Sequence, residues 1–138
     1  MFDINITSYK NHTSIQKHTM RHIIQCPAER AIYFLGGKWK IRIVFLLYQN
    51  KKNRFGELKK FLQTVTQQML SKQLKELELD GLINRKVFQV VPPKVEYSLT
   101  DFGSSVIPVL RSLDEWNKRN SRTISTKLNK NFEESRIR

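Results

Sequence analysis

The spacing of apolar residues changes at Gly81, and this change limits the possible fold more than any other feature of the sequence. Before Gly81, leucine recurs at i, i+4 and i+7, which predicts one buried stripe along a helix: Leu70, Leu74 and Leu77. After Gly81, residues 82–91 and 94–99 are β-rich and flank Pro92-Pro93, which cannot pair within a strand and marks a turn. Two such runs around a short turn predict a β-hairpin.

A tight turn divides the helical region before Gly81. We predict a short helix over Phe55–Leu62, a turn over residues 63–65 and a second helix over residues 66–80. Thr66 suits the N-cap of the second helix because its hydroxyl can accept a hydrogen bond from the first free backbone amides. Helix, tight turn, helix and hairpin is the order of a winged helix-turn-helix. The predicted fold class is therefore mainly α with a small β-hairpin wing (α+β).

Three more helices are expected around this unit. Pro27 opens one that ends at Gly36-Gly37, because proline suits the first helical position and glycine the cap. Its expected buried stripe is Ala31, Ile32, Phe34 and Leu35. A central helix over residues 38–48 is apolar nearly all round, which predicts that it is fully buried. A last helix runs from Asp101 to about Asn120 after a Thr100 cap, with a kink near residues 104–105 because Pro108 removes a donor.

Charge points to a polyanionic partner. The chain of 138 residues carries 25 Lys and Arg against 12 Asp and Glu, a net charge of +13. Such a basic domain is expected to attract nucleic acid or an anionic membrane surface. We divide the chain into a flexible N-terminal arm (residues 1–22), one domain (23–120) and a basic, frayed C-terminal tail (121–138).

The sequence also gives indications of location and chemistry. It has no signal peptide, no apolar run of membrane-spanning length and a single cysteine, so we expect a cytoplasmic protein without an internal disulfide. No nucleotide-binding glycine motif is present, and we expect neither an enzyme nor a cofactor. His18, His22 and Cys26 are spaced four residues apart, but a closed zinc site needs four ligands, so no metal is expected.

The polar face at the start of the second helix has the side chains of a DNA-reading surface. Gln can pair with adenine through two hydrogen bonds, Ser can contact a base or a phosphate, and Lys suits guanine or the backbone. The same face would equally suit a helix that is merely hydrated, and the following hairpin and the basic charge favour the DNA-reading interpretation. The residues are Gln67, Gln68, Ser71, Lys72 and Lys75.

Several segments together resemble the HxlR family of bacterial transcriptional regulators, in unbroken order over residues 26–116. They include Cys26-Pro27, Gly36-Gly37-Lys38-Trp39-Lys40, Arg54-Phe55-Gly56-Glu57-Leu58, Met69-Leu70-Ser71, Leu74-Lys75-Glu76-Leu77-Glu78, Asp80-Gly81-Leu82-Ile83 and the run from Val91 to Thr100. The resemblance implies a homodimer on near-palindromic double-stranded DNA, with residues 66–75 reading bases. It also implies phosphate contacts by Lys38, Arg54 and Lys94.

The same resemblance implies that the dimer forms through the terminal helices. This agrees with an apolar stripe on the last predicted helix, formed by Phe102, Val106, Val109, Leu110, Leu113 and Trp116. The sequence names neither the operator nor any small-molecule inducer.

Cys26 allows two interpretations. Just before Pro27 it lies near a helix N-terminus, where the helix dipole favours the thiolate, and His22 adds to this effect if protonated. Several members of the resembled family sense oxidants or electrophiles through a cysteine at this position, which implies a redox switch at Cys26. The alternatives are a small buried thiol in a regulator without redox sensing, or a basic module that binds proteins or membranes.

Overall fold

The structure, a computed structural model, describes residues 26–137. The expected flexible arm (1–22), with His18 and His22, lies outside the described residues. The chain divides into two compact units between Gly36 and Gly37.

In the first unit, the described part is one helix, α1 (Pro27–Leu35), with Cys26 at its N-cap. The expected buried stripe is wrong, because only Leu35 is buried while Ala31 and Ile32 are exposed. The four apolar residues spread over an arc of about 160° at 3.6 residues per turn, which is too wide for one contact face. Of the two glycines expected to end this helix, Gly36 is extended and Gly37 has the left-handed conformation, at φ +102°.

The second unit contains six helices and three strands among its described residues. They are α2 (Lys40–Asn50), β1 (Lys52–Arg54), α3 (Phe55–Leu62), α4 (Gln67–Leu79), β2 (Ile83–Phe88), β3 (Lys94–Leu99), α5 (Asp101–Ser104), α6 (Ile107–Arg119) and α7 (Ser121–Ile137). The winged helix-turn-helix predicted from the sequence is confirmed, with α3 and α4 as the helix pair and β2–β3 as the wing. Thr66 caps α4 as expected and accepts a hydrogen bond from the Met69 amide at 3.1 Å.

The core forms where α2, α3 and α4 meet the sheet. All three leucines of the predicted α4 stripe are buried, together with Leu58 of α3. The interpretation of α2 as buried all round is wrong, because the helix buries one face only. Its buried apolar side chains are Ile43, Val44 and Leu47, whereas Ile41, Phe45 and Tyr48 are exposed. Part of the exposed face contacts α6, where the Arg111 guanidinium donates to the Tyr48 hydroxyl at 2.6 Å.

The sheet has three antiparallel strands in the order β1-β3-β2. Residues 52–54 lie between the helices predicted over residues 38–48 and 55–62, where the sequence predicts no strand, and they form β1. A Lys-Asn-Arg strand of three residues has no hydrophobic alternation by which it could be detected. Its central residue, Asn53, pairs with Tyr97, and both are buried.

The C-terminal region differs from the prediction in two respects. The helix expected over residues 101–120 is broken into α5 and α6, and the break at Ser105–Val106 lies next to the predicted kink, with Pro108 in the first turn of α6. The prediction of a frayed tail is wrong, because residues 121–137 form α7. Apolar residues at i, i+4 and i+8 support this helix, and their spacing was obscured by the surrounding charges: Ile124, Leu128 and Phe132.

Candidate nucleic-acid interface

The first half of α4 presents a continuous polar surface. Leu70, Leu74 and Leu77 of this helix face the core, so the side chains on the opposite side of the helix project away from it. The helix N-terminus also carries the partial positive charge of the helix dipole, which favours a nearby phosphate. All six side chains that the sequence predicted for this surface are exposed: Thr66, Gln67, Gln68, Ser71, Lys72 and Lys75.

The second half of α4 is anchored by a buried lysine that the sequence interpretation missed. The Lys40 ammonium lies 3.2 Å from Glu76 and 3.3 Å from Asp80, and the Lys40 side chain is only 9% exposed. Glu76 and Asp80 are one helical turn apart, so both reach the same cation. Two features of the sequence indicate this contact. One is a lysine inside an otherwise apolar helix, and the other is an acidic pair at i and i+4 on another helix. The contact fixes α4 against the start of α2.

Lys38 lies beside this anchor, just before α2. Its side chain is exposed, and its ammonium lies 4.8 Å from the centre of the Trp39 ring. The Arg42 guanidinium lies 5.5 Å from the same ring. Two cations thus flank one aromatic side chain at the start of α2, where the sequence predicted Lys38 alone.

Arg54 and Lys94 come together on one face of the sheet. In the strand register Glu96 lies opposite Arg54 on β1 and opposite Lys86 on β2, so these side chains point to the same side. The other side carries the buried Asn53 and Tyr97, so the charged side faces away from the core. We call it the outer sheet face; it comprises Lys52, Arg54, Asn84, Lys86, Phe88, Lys94, Glu96 and Ser98.

Lys94 contacts two neighbouring side chains on the outer sheet face. Its ammonium lies 2.9 Å from the Glu96 carboxylate and 4.7 Å from the centre of the Phe88 ring. The hydrogen bond from Lys94, followed by the charges of Lys52 and Lys94, lowers the pKa of Glu96 against the opposing effect of burial. Glu96 therefore stays ionised at neutral pH. Lys52 and Lys86 were missed, although alternation along the strands places them on this face.

The apolar stripe of the last predicted helix is divided by the structure. Leu110 is buried within the subunit and Val106 is half-buried. The other four side chains are each more than half exposed, at 51–56%: Phe102, Val109, Leu113 and Trp116. Leu128 and Phe132 add further exposed apolar surface on α7. Large exposed apolar surface is typical of protein–protein interaction sites.

Cys26 is half-buried at the N-cap of α1, and its thiol is free. Within residues 26–137, no three His, Cys, Asp or Glu side chains are grouped closely enough to hold a metal ion. No helix in that part of the chain combines the length and apolar character needed to cross a bilayer.

Comparison with known proteins agrees with this geometry. The model of the HxlR-like helix-turn-helix family matches residues 34–125. An uncharacterized HTH-type transcriptional regulator of Halalkalibacterium halodurans is 46% identical over 104 residues, which are 75% of this chain and 92% of the relative.

Solved structures give the same result. The redox regulator HypR in its reduced form is 41% identical, with a TM-score of 0.66, over 73% of this chain and 99% of HypR. Diamide-treated YodB from B. subtilis is 32% identical, with a TM-score of 0.60, over 70% of this chain and 95% of YodB. The protein is thus a DNA-binding transcriptional regulator with a winged helix-turn-helix, and it belongs to the HxlR-like helix-turn-helix family.

Proposed function

We propose that the protein acts as a homodimer that reads a near-palindromic operator in the cytoplasm through the first half of α4. The observation that carries this proposal is the row of exposed polar side chains on a helix whose other face is buried and whose far end is anchored by Lys40. A rigid, polar helix that exposes its N-terminal residues is what insertion into the major groove requires.

The side chains of this helix suit different contacts with DNA. Gln68 and Gln67 suit adenine, Lys72 and Lys75 suit guanine or the backbone, and Ser71 suits either a base or a phosphate. Thr66 remains at the helix N-terminus, close to where a phosphate would bind. Outside α4, backbone phosphates are the partners expected for Lys38, Arg54 and Lys94, which position the protein without reading sequence.

The exposed apolar side chains of α5 and α6 support the dimer. Phe102, Val109, Leu113 and Trp116 would be buried by the same surface of a second copy, whereas Val106 and Leu110 would support them from within the subunit. A two-fold axis there would place two α4 helices about 34 Å apart, one turn of DNA.

Substitutions on α4 test the assignment. Gln68→Ala and Lys72→Ala are each expected to weaken operator binding by about 1–3 kcal/mol and to relax the preference at one base position. Lys127→Ala on α7 removes the same charge as Lys72→Ala at an exposed position outside α4 and should leave the preference unchanged. The measurement is selection of bound fragments from random duplexes, followed by titration of the selected site. A selected site with two inverted half-sites would support the dimer.

An unchanged preference in both α4 variants would contradict the assignment. The rival interpretation, a basic module that binds membranes or proteins, predicts binding to anionic vesicles that survives both substitutions. The family membership favours DNA, and the vesicle assay separates the two.

We further propose that Cys26 makes this regulator responsive to oxidants. Its thiol is free and partly accessible at a helix N-cap, and two similar structures are a redox regulator and a diamide-treated regulator. A peroxide would take two electrons from the thiolate to give a sulfenic acid and hydroxide. A second thiol would then condense with it and release water. Because the chain has one cysteine, that thiol must belong to another molecule, either the second subunit or a small thiol.

Treatment with diamide is expected to change operator affinity of the wild-type protein and to leave Cys26→Ser unaffected. The readouts are operator titration and non-reducing electrophoresis, which distinguishes a cross-linked dimer from a mixed disulfide. Equal loss of binding in both proteins would reject the switch and leave a regulator without redox sensing.

A further inference from the structure

The outer sheet face combines cations with a single carboxylate in its middle. Among the strand residues of that face, Glu96 is the one anion, and four basic residues surround it in the strand register: Lys52, Arg54, Lys86 and Lys94. The Glu96 side chain is only 13% exposed. The carboxylate is thus largely covered by its neighbours.

Glu96 contacts two lysines directly. Its Oε1 lies 2.9 Å from the Lys94 ammonium, and its Oε2 lies 3.6 Å from the Lys52 ammonium. One carboxylate on β3 thus contacts a lysine of the neighbouring strand β1 and a lysine of its own strand. The Lys94 side chain has less freedom than an ordinary surface lysine, since it is 30% exposed.

The Phe88 ring contacts Lys94 as well, together with Lys86. The ammonium groups of Lys86 and Lys94 lie 4.9 Å and 4.7 Å from its centre. An aromatic face attracts a cation at this distance. Lys94 is therefore held between a carboxylate and a ring.

We propose that Glu96 is a specificity-determining residue of the DNA interface, which positions Lys94 and Lys52 for phosphates in the correctly docked complex and weakens binding elsewhere. The inference rests on the proposed contact of Lys94 with the DNA backbone. The carboxylate offsets one positive charge in every complex, and this lowers the affinity for any duplex. Only the docked complex needs the fixed geometry of the two ammonium groups, so only that complex gains from their positioning.

Glu96→Gln tests this role because glutamine has nearly the same shape without the charge. The probes are the duplex selected by the wild-type protein and a scrambled duplex of equal length and composition, titrated over a range of salt concentrations. The variant is expected to bind the scrambled duplex about fivefold tighter, since one charge is no longer offset near the surface. The slope of log K against log salt should steepen by about 0.9 per subunit. Affinity for the selected duplex should rise less, so the ratio of the two affinities falls.

Three further variants separate positioning from net charge. Glu133→Gln on α7 changes the net charge equally at an exposed site away from the sheet and should leave slope and ratio unchanged. Glu96→Asp keeps the charge and should restore the wild-type slope. The double variant Glu96→Gln with Lys94→Gln removes one charge of each sign, so its slope should also return to the wild-type value, which provides a second test if the single variant is unstable.

Two results would overturn the inference. If Glu96→Gln matches Glu133→Gln in slope and ratio, or strengthens both complexes by the same factor, Glu96 has no role in specificity although the proposed function stands. If the wild-type protein itself does not distinguish the two duplexes, the proposed reading of bases fails and the inference fails with it.

Discussion

Replacing Gly103 with alanine is expected to destabilise the protein by about 3 kcal/mol, since an added methyl would strike backbone rather than a flexible side chain. A Cβ at Gly103 would lie 2.0 Å from the Leu82 carbonyl oxygen and 2.9 Å from its carbon. The carbonyl is not free to retreat, because it accepts a hydrogen bond from the Thr100 amide at 3.1 Å. The neighbouring Gly81 carbonyl is held by the Thr100 hydroxyl at 2.6 Å. Urea denaturation measures the effect.

Gly56 provides the matched control for this substitution. It lies in α3, and a Cβ there would meet no atom within 4 Å. Gly56→Ala is therefore expected to stabilise the protein by roughly 0.5 kcal/mol through the higher helix propensity of alanine. Equal effects at the two glycines would show that the close approach between α5 and the Gly81–Leu82 turn does not constrain the fold.

Removal of both carboxylates that face Lys40 is the other large effect. Glu76→Gln combined with Asp80→Asn leaves a nearly buried ammonium without an anion, and we expect a loss of about 3 kcal/mol in the free energy of unfolding. Lys40→Met should cost much less, about 1 kcal/mol, because the two carboxylates are 33% and 24% exposed and recover water while methionine fills the space.

The comparison of these two losses of stability tests whether the Lys40 ammonium is the buried partner. Glu78→Gln, at an exposed position on the same helix, should change stability by less than about 0.5 kcal/mol. Urea denaturation of the wild-type protein and of these three variants measures the free energies of unfolding. If the Lys40 variant proves as unstable as the double carboxylate variant, the ammonium is not the buried partner and the anchor of α4 must lie elsewhere.

The sequence was sufficient wherever a period or a cap was strong. The leucine stripe of α4, the Thr66 cap and the turn at Pro92-Pro93 each depend on local chemistry, and the structure confirms all three. The elements that were not predicted depend on contacts with distant parts of the chain. β1 exists because β3 supplies an edge with which Asn53 can pair, and residues 52–54 carry no sign of that edge.

The candidate site shows the same division. Exposure along α4 follows from helical geometry once Leu70, Leu74 and Leu77 are assigned to the core, so the polar side chains predicted at its start could be found from the sequence. The partners of Lys40 and the grouping of Lys52 and Lys86 with Lys94 depend on which helices and strands adjoin, which no single segment reveals. Leu110 is an example: it belongs to the predicted apolar stripe but is buried within its own subunit. The sequence pattern alone does not distinguish such a residue from those that are exposed.

The short strand β1 has a consequence for how such regulators diversify. It hydrogen-bonds to β3 and continues without a break into α3, so the base of the hairpin is joined directly to the helix pair. The loop at residues 89–93 lies outside these elements and can lengthen or change sequence while α4 keeps its place. Residues of the hairpin tip can therefore change without displacing α4, the helix proposed to read bases.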